Sequence, residues 1–210
     1  MAEIEKELQK ALAELRKGEE RKFNQTLDLI VNLQKFDIKK ESVNLFVQIP
    51  HKIKEKKICA FLTTKHKDFD TITEQDFKKY SDKKELKKLE KSYDFFIAQA
   101  VLMPKVATVF GRVLGPSGKM PSPQLGIVSS ADDKLLDEIR EKINNNIKVK
   151  SKEPSIKLGV GKQNMKDEEL IENIVAVYNS LLKALPKGID NIKNIEIKFT
   201  MTKPQKISIK

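Results

Sequence analysis

Apolar residues recur at helical spacing at the start of the chain (Ile4, Leu8, Ala11, Leu12 and Leu15) and stop at Gly18, which predicts an amphipathic helix ended by a glycine. From Phe23 the period changes to two. Phe23, Leu27, Leu29, Val31 and Leu33 share one face and Asn24, Thr26, Asp28 and Asn32 the other, the signature of a half-buried strand with a polar outer side. Val43, Leu45, Val47 and Ile49 repeat the alternation before Pro50, and residues 57–62 read as a short, nearly continuous apolar strand.

After Thr63-Thr64 the chain becomes more lysine-rich, with short helices expected over 74–79 and 82–90 and a buried strand over 94–99. Residues 101–110 read as a helix or an irregular apolar segment, and the Gly- and Pro-rich stretch 111–126 as a structured loop or a series of turns. A helix over 132–143, with Leu135, Leu136, Ile139 and Ile143 as its stripe, precedes two short strands flanking Pro154. A second long helix runs from 167 to 185, with Leu170, Ile171, Ile174, Val175, Tyr178, Leu181, Leu182 and Leu185 on its apolar face, and Pro186 and Gly188 end it. Ile195, Ile197, Phe199 and Met201, then Ile207 and Ile209, alternate with polar residues in closing strands. Strands and helices alternate in the middle third, which suggests a small α/β unit.

Composition narrows the partner. Lys and Arg number 41 against 30 Asp and Glu, a net charge of +11, which favours a polyanion. Lys83-Lys84-Glu85 and Lys87-Lys88-Leu89-Glu90 show that lysine is mixed with acid and not gathered into one block. The single cysteine, Cys59, sits in an apolar run and reads as a buried structural thiol of a reducing compartment. Residues 1–22 carry charges throughout, unlike a signal peptide, and the best apolar run, 95–110, is broken by Pro104 and Lys105. The expectation is a soluble cytoplasmic protein with no membrane contact.

Little in the chain reads as catalytic. His51 and His66 have no partner at metal-ligand or triad spacing and are expected at the surface. Gly115-Pro116-Ser117-Gly118-Lys119-Met120 has two residues between Gly115 and the Gly-Lys pair where a phosphate-binding loop has four, and Met120 stands where magnesium needs Ser or Thr. Gly159-Val160-Gly161-Lys162 lacks the third glycine of a dinucleotide site. No catalytic residue, metal site or cofactor is expected, and a nucleotide-dependent enzyme using the Gly-Pro loop is the competing reading. What remains is a binding surface. Short hydroxyl, amide and carboxylate side chains on an open sheet face suit ribose hydroxyls and base edges, with Lys22, Lys162, Lys198 and Lys203 as candidates for phosphates and Phe23 for stacking.

Three segments together resemble the large-subunit ribosomal protein family numbered one, the L1 proteins of the lateral stalk. They are residues 21–29, which begin Arg21-Lys22-Phe23-Asn24; residues 114–123, centred on Gly118-Lys119-Met120-Pro121; and Thr200-Met201-Thr202-Lys203-Pro204. The Lys119-Met120-Pro121 form is similar to the archaeal and eukaryotic branch. The resemblance implies an α/β (α+β) fold of two domains: a discontinuous α/β sandwich from both termini (1–64 plus 154–210) and an inserted Rossmann-like α/β domain (65–153). It further implies a ribosomal, non-enzymatic protein that binds large-subunit rRNA near the tRNA exit site. Its own mRNA, whose translation it represses, and exit-site tRNA are further implied partners, and off the ribosome the chain is expected to be a monomer. The matching RNA-binding positions are Lys22, Phe23, Asn24, Thr26, Asp28, Lys162, Thr200, Met201, Thr202 and Lys203. Gly115, Pro116, Gly118, Lys119, Met120 and Pro121 form a secondary or tRNA-facing loop. Thr202 stands where the family commonly has Gly, and Ser117 where it often has a basic residue.

Overall fold

A computed structural model describes residues 2–18, 21–37, 41, 43–80, 82–130, 132–151 and 153–208. The chain divides into two compact units, Met1–Ile53 with Asn145–Lys210, and Lys54–Asn144. It opens with α1 (Ala2–Arg16), which buries Leu8, Ala11, Leu12 and Leu15. Then come β1 (Thr26–Leu33), buried at every second residue, and β2 (Asn44–Gln48).

The second unit is built on β3 (Ile58–Phe61), β4 (Asp70–Ile72), α2 (Lys83–Ser92), β5 (Phe95–Gln99), α3 (Met103–Ser117), β6 (Ile127–Val128) and α4 (Asp133–Asn144), with a 3-10 turn at Glu74–Tyr80. Its four strands pair in parallel in the order β4-β3-β5-β6. All four side chains of β3 are buried, as a strand covered on both faces requires. Phe61, Phe96, Phe110 and Leu114 pack with Leu86 and Leu89 in one cluster, and Ile58, Ala60, Ile97, Leu136 and Ile143 in another. This is a small doubly wound, Rossmann-like sheet.

The chain returns through β7 (Asn146–Lys150), β8 (Ser155–Lys162), α5 (Asp167–Ala184), β9 (Ile192–Phe199) and β10 (Gln205–Ile207). An antiparallel sheet of order β10-β9-β1-β8 and the β2-β7 pair share one core with α1 and α5. Gly161 permits that packing, since a Cβ there would lie 2.1 Å from Leu170 Cδ2 of α5. Asn173, inside the apolar stripe of α5, is fully buried: its Oδ1 accepts from His51 N at 3.0 Å, and its Nδ2 donates to His51 O at 2.9 Å and Val160 O at 3.0 Å.

Several local expectations change. The unit boundaries fall at 53/54 and 144/145 and not near 64 and 153, because β3 pairs with β4 and β5 while β7 pairs with β2. Residues 111–117 are the last turns of α3 and not a loop; the helix tolerates Pro116 close to its end and stops at Gly118, whose φ of 74° suits glycine. Phe23 lies before β1, which starts at Thr26, and the strands β4 and β6 are themselves too short to show a period. Thr200 and Met201 form a turn, not the end of a strand, and β10 covers 205–207. Ile209, expected in that last strand, lies outside the described residues. Neither histidine is a free surface group: His51 Nε2 is 2.7 Å from Glu172 Oε2, and His66 Nε2 is 2.8 Å from Asp133 Oδ1 with only 12% of its side chain exposed.

Candidate nucleic-acid interface

The outer face of the four-stranded sheet is polar because β1, β8 and β9 each turn their alternate apolar residues toward the helices. The register sets Thr26 opposite Lys162 on one side, and Asp28 between Gly159 and Lys198. Lys162 Nζ donates to Thr26 Oγ1 at 2.8 Å. Thr26 N donates to Thr200 Oγ1 at 3.1 Å, so the first residue of β1 is tied to the residue after β9. Gly159 lies beside this junction, where a Cβ would come within 2.9 Å of Thr26 Cγ2. Burial raises the pKa of Asp28 above its ordinary value, against the pull of Lys198 and Lys162, which lower it. The result is a partly desolvated acceptor between two cations.

The approach to β1 is held by Asn24, which the sequence pattern singles out, and by Gln25 and Arg16, which it does not. Gln25 is 2% exposed; its Oε1 accepts from Met201 N at 3.0 Å and its backbone O from Gln163 N at 2.8 Å. Asn24 Oδ1 accepts from Asn164 N at 3.2 Å. Arg16 fixes the same turn from α1, donating to Asp167 Oδ1, Gln163 O and Met165 O at 2.7, 3.0 and 2.9 Å. Gln25 has an apolar parity neighbour on either side, and only its neighbours' roles in three dimensions reveal its own.

Thr202 closes the turn after β9: its Oγ1 accepts from Phe199 N at 2.9 Å and its own N donates to Phe199 O at 3.1 Å. The Thr202 hydroxyl thus helps to hold the backbone of Thr200 and Met201 in its turn. Phe23 and Met201 are 51% and 60% exposed, large apolar side chains at the rim of a polar patch. Lys22 and Lys203 are exposed beside them in sequence, and among the described residues neither they nor Lys162 and Lys198 form an ion pair with a carboxylate. The structure thus joins Asn24, Thr26, Asp28, Lys162, Thr200, Met201 and Thr202 through Gln25 and the strand ladder. For Lys22, Phe23 and Lys203 it gives exposure and sequence adjacency only.

The Gly-Pro segment of the other unit has a different character. Lys119 Nζ donates to Glu90 O at 2.6 Å and Tyr93 O at 2.9 Å, closing the end of α2, and lies 3.6 Å from Glu90 Oε1. Met120 packs on the core, Pro121 is buried, and Gly118 caps α3. Gly115 and Pro116 are exposed. A nucleotide loop needs the N-terminus of a helix, where the dipole attracts phosphate. This segment lies at a C-terminus, whose partial charge is negative, and its lysine is already engaged. Among the described residues no group of three or more His, Cys, Asp or Glu side chains is placed to hold a metal ion.

Fold and site define a two-unit α/β protein in which a parallel-sheet unit interrupts a discontinuous sandwich with a polar strand face. Residues 15–203 match the model of the ribosomal protein L1p/L10e family, and the chain belongs to that family. It is 34% identical to the large ribosomal subunit protein uL1 of Nanoarchaeum equitans, over 89% of this chain and 92% of that one. To the uL1 proteins of Pyrobaculum calidifontis and Methanobrevibacter smithii it is 36% and 38% identical, covering 92% and 86% of this chain and 89% and 88% of theirs. These archaeal relatives agree with the branch to which the Lys119-Met120-Pro121 form pointed.

Proposed function

We propose that this chain is a structural, non-catalytic protein of the large ribosomal subunit, acting in the cytoplasm, and that it holds a folded rRNA segment of the lateral stalk against the Thr26–Thr200 end of its four-stranded sheet. The relatives' name, large ribosomal subunit protein, supports the first half. The observation that carries the second is the junction itself. With Lys162 Nζ donating to Thr26 Oγ1 and Thr26 N to Thr200 Oγ1, both hydroxyls are fixed before RNA arrives, and Thr26 keeps its own proton to donate outward. Small side chains ordered in advance lose little entropy on binding. Hydroxyls, amides and the Asp28 carboxylate suit ribose 2′-hydroxyls, and Lys22, Lys162, Lys198 and Lys203 suit phosphates.

Binding of a stalk rRNA fragment tests this. Thr200→Ala and Phe23→Ala should each weaken binding without unfolding the chain, Thr200→Ala giving up no more than the roughly 1 kcal/mol of its hydrogen bond with Thr26; unchanged affinity in both would remove the patch from the site. The same surface is suited to a structural mimic of the rRNA site in the chain's own mRNA, which would make it a translational repressor. The two RNAs should then compete, and simultaneous binding would count against a shared site. A tRNA-facing role for the second unit rests on the resemblance, with Gly115 and Pro116 as its exposed candidates.

A further inference from the structure

The helix layer of the terminal unit carries a groove whose charge runs against that of the chain. On α5, Glu168, Ile171, Glu172 and Val175 recur at spacings of three and four and so share one face of the helix. Glu5 and Gln9 stand about one turn apart on α1, which packs beside it. Between the two helices lies an open groove of about 420 Å³. Its apolar lining is Pro50, Ile171, Val175 and Ala176, the last three buried or half-buried, while Glu168 and Glu172 are exposed at its rim. The amides of Gln9 and Asn179 complete it.

Among the described residues no Lys or Arg lines this groove, in a chain of net charge +11. Other acids at the start of α5 are engaged within the fold: Asp167 Oδ1 accepts from Arg16, and Glu169 Oε2 from Lys166 N at 3.2 Å. Glu5 and Glu168 have no hydrogen-bond or ion-pair partner among the described residues, and Glu172, whose Oε2 is 2.7 Å from His51 Nε2, keeps 60% of its side chain exposed. Three carboxylates repel phosphate, so a nucleic-acid backbone does not fit here. A lysine or arginine does: its aliphatic stem can lie on Ile171 and Val175 while its charged head reaches the rim. The +11 chain as a whole repels a polycation, so attraction at this place must come from the groove itself.

We propose that the groove between α1 and α5 docks a lysine- and arginine-rich protein segment that carries apolar residues among its cations. It lies on the helix layer and not on the outer face of the four-stranded sheet, so it is independent of the rRNA reading of the Thr26–Thr200 patch and leaves both surfaces free to act together.

The test is fluorescence anisotropy of a fluorescein-labelled peptide of Lys-Leu-Lys-Arg repeats with the full chain, at low ionic strength, where exposed charges are least screened. It compares the wild type with Glu5→Gln/Glu168→Gln/Glu172→Gln and with Asp137→Asn/Glu138→Gln/Glu141→Gln, which removes the same charge from exposed positions of α4. The groove variant should stay folded and bind the peptide about tenfold more weakly, the sum of three modest ion pairs, and the α4 variant should bind as the wild type does. Replacing Leu by Ser in the peptide should also weaken binding, because the apolar lining is then left without a partner. Unchanged binding by the groove variant, an equal loss in the α4 variant, or equal affinity for the Leu and Ser peptides would each overturn the proposal, the last two by showing diffuse attraction to any polycation. Stalk rRNA binding by the groove variant should be no weaker than wild type; a loss there would give the groove to RNA. A wild-type dimer in sedimentation that the groove variant abolishes would give it to a second copy of the chain, and either result overturns the proposal. Thr200→Ala should do the reverse, weakening rRNA binding and leaving peptide binding intact, so the failure of one surface is read apart from the failure of the other.

Discussion

Asn173 offers the sharpest test of how the terminal unit holds its shape. Its amide is fully buried and makes three hydrogen bonds to backbone, two with His51 and one with Val160. Asn173→Ala leaves those groups without their partner, and at roughly 1 kcal/mol net for each bond the loss is about 3 kcal/mol. Unfolding entropy near 2.1 cal/mol/K per residue turns this into a drop in Tm of about 12 °C if the unit of about 120 residues melts alone, and about 7 °C if all 210 melt together. Asn173→Asp keeps the shape and the acceptor for His51 N but sets carboxylate oxygens against two carbonyls. Burial without a cation raises the folded pKa of that aspartate above its unfolded value, so the variant is most stable below about pH 4 and loses stability as pH rises through the folded pKa. Calorimetry at pH 7 and pH 4 reads both effects. A Tm within about 2 °C of wild type for Asn173→Ala would refute the argument, because it would mean that water replaces the amide without cost.

Three further outcomes follow from packing. Gly161→Ala should cost about 1–3 kcal/mol in chemical denaturation, since Leu170, fully buried, would have to move from a Cβ placed 2.1 Å away; an unchanged midpoint would show that α5 can shift. Phe110→Ala should cost about 3–5 kcal/mol, because its ring lies 4.7 Å from that of Phe61 and 5.1 Å from that of Phe77. That loss should appear in the transition of the inserted unit and leave RNA binding by the terminal unit intact. The Cys59 thiol, 1% exposed with its pKa pushed up by burial to about 12, should resist alkylation at pH 8 until the chain unfolds. Native-state labelling at the rate of a free thiol would contradict its placement.

Periodicity revealed what depends on one face being buried. Leu27, Leu29, Val31 and Leu33 alternate with polar residues, and β1 buries them; the stripes of α1 and α5 likewise lie in the core. Where neighbours in space decide, the pattern was silent or misleading. Gly111, Gly115 and Pro116 read as a loop, yet the buried Val106, Phe110 and Leu114 give α3 a stripe that outweighs their poor helix propensity. Residues 58–61 are apolar on every side and give no hint of which sheet they join; parallel pairing with β4 and β5 assigns them to the second unit. At the candidate interface, Thr26, Asp28 and Thr200 were legible as outward-facing positions. Gln25 and Arg16 were not, because their work is to hold the backbone of residues far away in the chain. Lys119 is the converse: motif reading placed it on a ligand-facing loop, and its three oxygen neighbours in α2 and beyond give it a structural task.

Among the described residues each unit has its own core, and its independence can be tested by removing one. Every residue of the cluster that α1 and α5 cover comes from 1–53 or 145–210, and the two clusters around the parallel sheet come only from 54–144. The chain leaves and re-enters the terminal unit at adjacent points, because Ile49 N donates to Asn145 O at 2.8 Å and Gln48 pairs with Asn146. Four residues, 50–53, follow Ile49 before the boundary and can carry the chain no more than about 14 Å away, so a Gly-Ser linker of about five residues spans the return. Replacing residues 54–144 by such a linker should leave a protein that unfolds in one cooperative transition and binds the stalk rRNA fragment within a few-fold of the full chain. A folded product without RNA binding would show that the inserted unit supplies part of the site. An unfolded product would show that the packing of α1, α5 and the four-stranded sheet does not suffice, and that the inserted unit stabilises what it interrupts.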